Sequence, residues 1–345
     1  MKILFAVVEF GLNGAVLASL GAVRHLLAQG HDVTILSPKG AADTPTVALR
    51  DFTDLGVPVV YQADANAFDL FVVDPVMAPQ LVLACRGKCP ILGWVHAAPG
   101  AGVGMVRQTL QAGLGLSAVD RLIFPSRAAA LGYGSYLLGY PADRIDIIPY
   151  AVARPAECVP ASKAPGRVRI VSVGTIYPRK RQDDLIAAVA ALNDARVECF
   201  LIGDIASIDP EARRIVEAAP DRFVMKGGLT PGDLQRLYRS TDIFSLPSSD
   251  ESFGIAVYEA AGHAIPLVLS DLECHDGIWR HGRNCLMHPV GDARMLEAML
   301  RVLIDAPDLR RRLGEEGAKQ ARAFTPERFN TVFQLAVDET VARFR

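Results

Sequence analysis

The chain has 345 residues, half of them hydrophobic, and its 36 basic and 38 acidic side chains leave a net charge of -2. That length predicts two domains, and a balance so even provides no broad positive field, which excludes nucleic acid from the expected partners.

In chain order, the opening MKILFAVVEF is interrupted by Glu9 before a signal-peptide core could form, and residues 2–9 read as a buried strand. Further apolar runs at 31–38, 57–61, 68–74, 90–96, 120–126 and 145–150 also read as strands. Most are separated by helical spacing, as in AVLASLGAVRHLLAQG, which closes on Gly30. The stretch 153–166, ARPAECVPASKAPG, has three prolines and no period, so it reads as a linker. Strands then resume at 168–174, 197–203, 222–228, 242–248, 266–271 and 284–289, and three helical stretches close the chain. Continuous apolar strands alternating with helices imply parallel sheets covered on both faces. The expected fold is therefore α/β, two Rossmann-like doubly wound domains over 1–160 and 161–325 that face a shared cleft at the strands' carboxyl ends.

No run of 18 apolar residues occurs, and GAGVGMVRQTLQAGLGL carries a single Arg, so a cytoplasmic protein without a basic membrane-docking helix is expected. The six cysteines are scattered and several lie in apolar runs, a reducing-compartment pattern. Cys85 and Cys89 flank RGK, but no second Cys or His pair stands nearby, so thiols are expected there rather than a metal site.

Three stretches carry chemistry. The loop EFGLNGAV sets Gly11 and Gly14 three apart, without the Gly-x-Gly-x-x-Gly turn of a dinucleotide-binding dehydrogenase. It reads either as a tight turn or as backbone amides offered to an anion. In PRKRQDD, Arg179, Lys180 and Arg181 stand at the head of a helix whose dipole favours anions, an arrangement suited to a diphosphate held between them. The alternative is a solvated basic turn. In ESFGIAVYEAAG, Glu251 lies before a helix that starts near Phe253 or Gly254, with SDES offering capping side chains, and Glu259 lies about one and a half turns inside it. The amides of Phe253, Gly254 and Ile255 suit an anionic oxygen, and the two carboxylates suit hydroxyls. A ligand with both phosphate and sugar hydroxyls fits this set; otherwise Glu251 is a first-turn acid and Glu259 an exposed helix residue.

The segment LPSSDESFGIAVYEAAGHAIPLVLSD resembles the signature of the family 4 glycosyltransferases: Glu with Phe-Gly behind it, seven residues, a second Glu, then a Pro-Val-like strand. VSVGTIYPRKRQDDLIAAVAAL resembles that family's diphosphate segment, and FLIGD, VMKGGL, RLIFPSRAA and IDIIPYAV resemble further pieces. The resemblance implies the GT-B fold, with a first acceptor domain, a second donor domain, and a last helix, 326–345, that crosses back to the first. It implies that Lys180, with Arg179, neutralises the diphosphate of a UDP- or GDP-sugar, that Glu259 holds the ribose, and that Glu251 with the amides of Phe253, Gly254 and Ile255 holds the transferred sugar. Gly14 would offer its N–H to the phosphates, and His96, ending the strand PILGWVH, would stand beside sugar and acceptor. Here Thr175 stands where the family commonly has Arg, leaving Arg179 or Arg181 to supply that charge; IPYAV stands for Pro-Asn-Gly-Val, and Ala264 for Gly.

The implied reaction is hexosyl transfer with retention to a hydroxyl of a glycan, lipid-linked or small-molecule acceptor, with no cofactor and no metal. The rivals are a nucleotide-sugar binding protein without transfer and a GT-B-like epimerase or phosphorylase.

Overall fold

The structure is a computed structural model that describes residues 1–8, 10, 13–37, 47–98 and 106–344, apart from the side chains at 47–48 and 106–110. Each apolar run expected to be a strand forms one. In the first half these are β1 (Lys2–Ala6), β2 (Asp32–Leu36), β3 (Val59–Val60), β4 (Leu70–Val73), β5 (Ile91–Trp94), β6 (Arg121–Phe124) and β7 (Ile145–Ile147). Helices α1 (Gly14–Ala28), α2 (Val47–Thr53), α3 (Pro79–Cys85), α4 (Val106–Ser117) and α5 (Arg127–Gly132) lie between them. The strands pair in parallel in the order β3-β2-β1-β4-β5-β6-β7.

The second half repeats the plan. Strands β8 (Val168–Val173), β9 (Val197–Ile202), β10 (Phe223–Lys226), β11 (Ile243–Leu246), β12 (Leu267–Ser270) and β13 (Leu286–His288) form a parallel sheet in the order β10-β9-β8-β11-β12-β13. Its helices are α6 (Gln182–Leu192), α7 (Pro210–Ala218), α8 (Pro231–Tyr238), α9 (Ile255–Gly262), α10 (Ala293–Asp305) and α11 (Pro307–Ala321). In each sheet the winding reverses beside the first strand, between β1 and β4 and between β8 and β11. In sheets of this order a crevice opens at the strands' carboxyl ends at such a reversal.

The chain divides into a unit of Met1–Ala151 with Pro326–Arg345 and a unit of Val152–Thr325. The proline-bearing stretch is strapped onto the second unit. Val152 N–H donates to Phe324 O at 2.8 Å, Ala161 N–H to Arg236 O at 2.8 Å, and Arg169 to Ser162 O at 2.7 Å. Lys163 pairs with Asp242 at 2.6 Å. Arg169 is itself buried, bonded to Glu198 and Ser240 and laid over the Phe200 ring. A stretch without a helical or strand period is thus held by its backbone groups and by ion pairs, which periodicity does not register.

The last helix, α12 (Pro326–Phe344), packs within the first unit on α1 and β5. Phe329 and Phe333 reach the Trp94 ring at 5.6 and 5.2 Å, and Gln334 meets His25 at 3.1 Å. Cys85 and Cys89 are buried in the first unit's core. No helix among the described residues is long and apolar enough to cross a membrane.

Candidate functional site

In the second unit the site is built at the crevice between β8 and β11. After β8 the chain turns through Gly174, whose φ of 147° is open to glycine, to a short 3-10 turn Pro178–Lys180 and then to α6. Space is tight here: a Cβ on Gly203, at the end of β9, would lie 2.3 Å from Gly174 O. Buried Gln182 donates to the carbonyls of Gly174 and Thr175 at 3.3 and 3.2 Å and so fixes the turn from below.

After β11 the chain runs Pro247-Ser248-Ser249-Asp250-Glu251 across this turn and into α9. Ser249 N–H donates to Arg179 O at 2.8 Å, and Arg179 donates to Asp250 O at 3.1 Å and to the Tyr177 hydroxyl at 2.7 Å. The two loops are therefore one hydrogen-bonded body. At its centre Lys180 Nζ donates to Glu251 Oε1 at 2.5 Å, and Ser248 Oγ donates to the same oxygen at 2.7 Å. Burial alone would raise the Glu251 carboxyl; the Lys180 ammonium, Arg179 and the Ser248 hydroxyl override it and hold the group below its ordinary value. An ammonium has three donors, so one bond to Glu251 leaves Lys180 able to serve an anion as well.

Helix α9 starts differently from the expectation that SDES would cap it. Gly254 is the capping residue, in the left-handed region at φ 80°, and no side chain caps the helix. The N–H groups of Ile255 and Ala256 have no partner among the described residues, so the positive end of the helix is open to an anion. Phe253 is anchored by its ring, stacked on Tyr258 at 4.1 Å and set edge-on to Phe324 at 5.5 Å.

Glu259 is only partly exposed and accepts a hydrogen bond from the Tyr238 hydroxyl of α8 at 3.1 Å. Burial pushes its carboxyl up to about 7, against the smaller downward effect of Tyr238. The two acids of the ESFGIAVYEAAG stretch therefore have opposite settings: one is ion-paired and fixed as the anion, the other poised near neutrality.

The structure brings Arg179, Lys180, Glu251, Phe253, Gly254 and Ile255 together, with Glu259 further along α9. Arg181 turns away, bonded to Asp184 at 2.6 Å and lying 3.0 Å from where a Cβ on Gly291 would be. Of the two arginines expected to stand in for one at Thr175, Arg179 lies against the β11 loop and Arg181 is paired with Asp184.

Gly14 and His96 belong to the first unit. Gly14 is the first residue of α1, whose cap is Asn13, bonded through its side chain to Val16 N–H at 3.0 Å; Gly11 lies outside the described residues. His96 follows β5. Its N–H donates to Asp74 Oδ2 at 2.9 Å, and its Nδ1 pairs with the Tyr150 hydroxyl at 2.7 Å. Burial pushes the imidazole down to about 3, so it is neutral.

Sequence reasoning missed Tyr177, Ser248 and Tyr238 in the second unit and Asp74 and Tyr150 in the first. Two signals were available: Asp74 is an acid closing a wholly apolar strand, and Tyr150 is the large residue in IPYAV where the resembling family has Asn-Gly.

Residues 159–320 match the family described as glycosyl transferases group 1. Among curated proteins, the chain is 26% identical over 225 residues to a D-inositol 3-phosphate glycosyltransferase of Segniliparus rotundus, covering 60% of this chain and 49% of that protein. It is 31% identical over 163 residues to an MMP alpha-(1->4)-mannosyltransferase of Mycolicibacterium hassiacum, covering 45% of this chain and 39% of that protein. The chain thus spans about half the length or less of these relatives. Among solved structures, Anabaena HepE in complex with UDP-glucose superposes with a TM-score of 0.81 at 16% identity, covering 98% of this chain and 100% of the other. A sucrose-phosphate synthase from Thermosynechococcus elongatus gives 0.76 at 18% identity, covering 99% and 100%. At such identity the structures speak to fold.

Proposed function

We propose that this chain, whose residues 159–320 match the glycosyl transferases group 1 family and whose two parallel-sheet units have the GT-B fold, is a family 4 glycosyltransferase that transfers a hexosyl group from a UDP- or GDP-sugar to an acceptor hydroxyl with retention. The observation that carries this reading is the Lys180–Glu251 pair at the open first turn of α9. An ammonium and two unpaired amides converge where a diphosphate can be gripped, and a carboxylate fixed as the anion stands beside them for sugar hydroxyls. Such a set stabilises the charge that develops on a departing diphosphate where it forms. Glu259 takes the ribose hydroxyls, and His96 of the first unit meets a hydroxylated substrate.

In the transfer, the bond from the anomeric carbon to the phosphate oxygen breaks and the acceptor oxygen bonds that carbon on the same face. The acceptor's proton passes to the leaving phosphate oxygen. Lys180 and the helix dipole neutralise that oxygen, so no resident metal is needed. UDP-glucose is present in the HepE structure, which supports a nucleotide-sugar donor, and the curated relatives are named as a glycosyltransferase and a mannosyltransferase, which supports sugar transfer.

Incubation with radiolabelled UDP- and GDP-sugars, with and without cell extract and with and without a chelator, tests the proposal. Release of nucleotide together with a labelled acceptor product is expected, undiminished by the chelator. Binding of nucleotide sugar without any release in either condition would favour a binding protein and sink the transfer reading.

A further inference from the structure

The head of α9 is offered to a ligand with no capping side chain, so the place of that turn depends on other contacts. At the far end the backbone supplies them: a Cβ on Gly314 of α11 would lie 1.9 Å from Ala264 O, where the chain leaves α9. At the head they are aromatic. Phe253, just before the capping glycine, and Tyr258, one turn into the helix, are buried and stack face to face at 4.1 Å and 3°. The half-buried ring of Phe324 stands edge-on to both, 5.5 Å from Phe253 at 66° and 4.6 Å from Tyr258 at 64°. Phe324 belongs to neither the β11 loop nor α9. It follows α11, and its backbone is tied on both sides, its N–H donating to Ala321 O at 3.1 Å and its carbonyl accepting Val152 N–H at 2.8 Å.

We propose that Phe324 is a positioning residue for the donor site: its ring, packed against both members of the Phe253–Tyr258 stack, holds the first turn of α9 where the amides of Ile255 and Ala256 meet a diphosphate. An edge-on aromatic contact fixes orientation as well as distance, because ring edge and ring face carry opposite partial charge. A post bonded at both its backbone groups, set against two rings that flank the left-handed Gly254, resists rotation of that glycine and with it the swing of the amides that follow. The ligand in this inference rests on the donor-site reading above. The hold on the helix is a property of the chain without ligand.

Amide exchange reads that hold directly. Val257 N–H is bonded to Gly254 O at 2.9 Å at the head of α9, and His263 N–H to Ala260 O at 3.1 Å at its end. In Phe324→Leu, which stays apolar and loses the ring, exchange at Val257 and Tyr258 should quicken roughly 3- to 10-fold, the scale of one aromatic pair, while His263 keeps its rate. Phe324→Tyr keeps the ring and should match the unsubstituted protein; both variants retain a large side chain at a half-buried position, so both should fold. UDP and GDP are then titrated by calorimetry well below the melting temperature of every variant. Whichever binds the unsubstituted protein should bind Phe324→Leu roughly 3- to 10-fold more weakly and Phe324→Tyr within about 2-fold. Unchanged exchange at Val257 and Tyr258, equal quickening at both ends of α9, or equal changes in Phe324→Leu and Phe324→Tyr would overturn the proposal, since a residue that only adds bulk would loosen the helix without regard to end or ring. An unchanged nucleotide affinity in Phe324→Leu would overturn its role at the donor site. Binding of neither nucleotide by the unsubstituted protein would count against the donor reading and leave the exchange rates to decide this inference alone.

Discussion

Lys180 and Glu251 are 71 positions apart in the chain and 2.5 Å apart in space, and they join the loop after β8 to the loop after β11. The pair is largely shielded from water, with side-chain exposures of 16% and 6%, so its loss affects stability.

Lys180→Ala strands a buried carboxylate, at a cost of about 3 to 5 kcal/mol for a broken buried pair. It should also reduce donor turnover by roughly 100-fold or more, the scale for removing one charge-stabilising donor. The double variant Lys180→Ala/Glu251→Gln removes the stranded charge, so urea melts should show most of the stability restored while turnover stays low. Recovery of turnover along with stability would mean that Lys180 acts only as a strut. The Glu251 carboxyl is held below its ordinary value, so its contribution is complete above the unfolded-state pKa and is lost as pH falls through the folded one.

Glu259 has the opposite sign. Its carboxyl is raised to about 7, so the folded state holds a proton that the unfolded chain has lost, and this site's contribution to stability declines as pH rises from the ordinary carboxylate range to about 7. If ribose hydroxyls bind the ionised form, the affinity for a nucleotide sugar, whose diphosphate diester does not titrate in this range, tightens from about pH 6 to about pH 8 and then levels off. Titration calorimetry across that range should show the slope in the unsubstituted protein and none in Glu259→Gln. Tyr238→Phe removes a bond that lowers the Glu259 pKa, so it should move the midpoint upward. An affinity indifferent to pH would remove Glu259 from the nucleotide site.

Two glycines compare backbone strain alone with strain plus collision. At Gly254 an added Cβ would meet Val257 at an ordinary 3.5 Å, so Gly254→Ala costs only the left-handed backbone, about 1 to 2 kcal/mol. At Gly203 it would meet Gly174 O at 2.3 Å, so the loop that carries Lys180 must move. Thermal melts should rank Gly203→Ala as the more damaging, and its nucleotide affinity should fall with it. Equal effects would show that the close approach of β9 to Gly174 is not maintained in solution.

The three adjacent cations of PRKR should separate in kinetics. Arg181 is committed to Asp184, so Arg181→Ala should leave kcat and donor KM within about 2-fold, as a side chain away from the site does. Arg179→Ala releases Tyr177 and the Asp250 carbonyl and should raise the donor KM. Equal losses in the two variants would mean that the charge of the cluster matters more than its wiring.

The strands were legible because a parallel strand buried on both faces must be apolar throughout, and that leaves a mark in the sequence whatever the neighbours are. Lys180 and Glu251 were legible as isolated candidates from the chemistry of their stretches. Their contact was not, because no local pattern specifies which of several cations meets a carboxylate 71 positions away. The same limit hid Tyr238, whose hydroxyl matters only because the last residue of α8 meets Glu259 of α9, and Tyr150, which meets His96 54 positions away. The cap of α9 was misread for another reason: Ser, Asp and Glu suggest a side-chain cap, whereas a left-handed glycine fills the position and leaves the amides open.

The second unit begins and finishes at one spot, since Val152 and Phe324 are hydrogen-bonded to each other. It is an insertion with adjoining ends, a layout that suits excision and separate expression. The first unit is the discontinuous one. During translation its sheet can assemble once residue 147 has emerged, but the Trp94 ring lacks the cover of Phe329 and Phe333 until the intervening 152–325 has also been made. A ribosome paused within that insertion would therefore hold a nascent sheet with an uncovered aromatic face, a surface for chaperones to recognise.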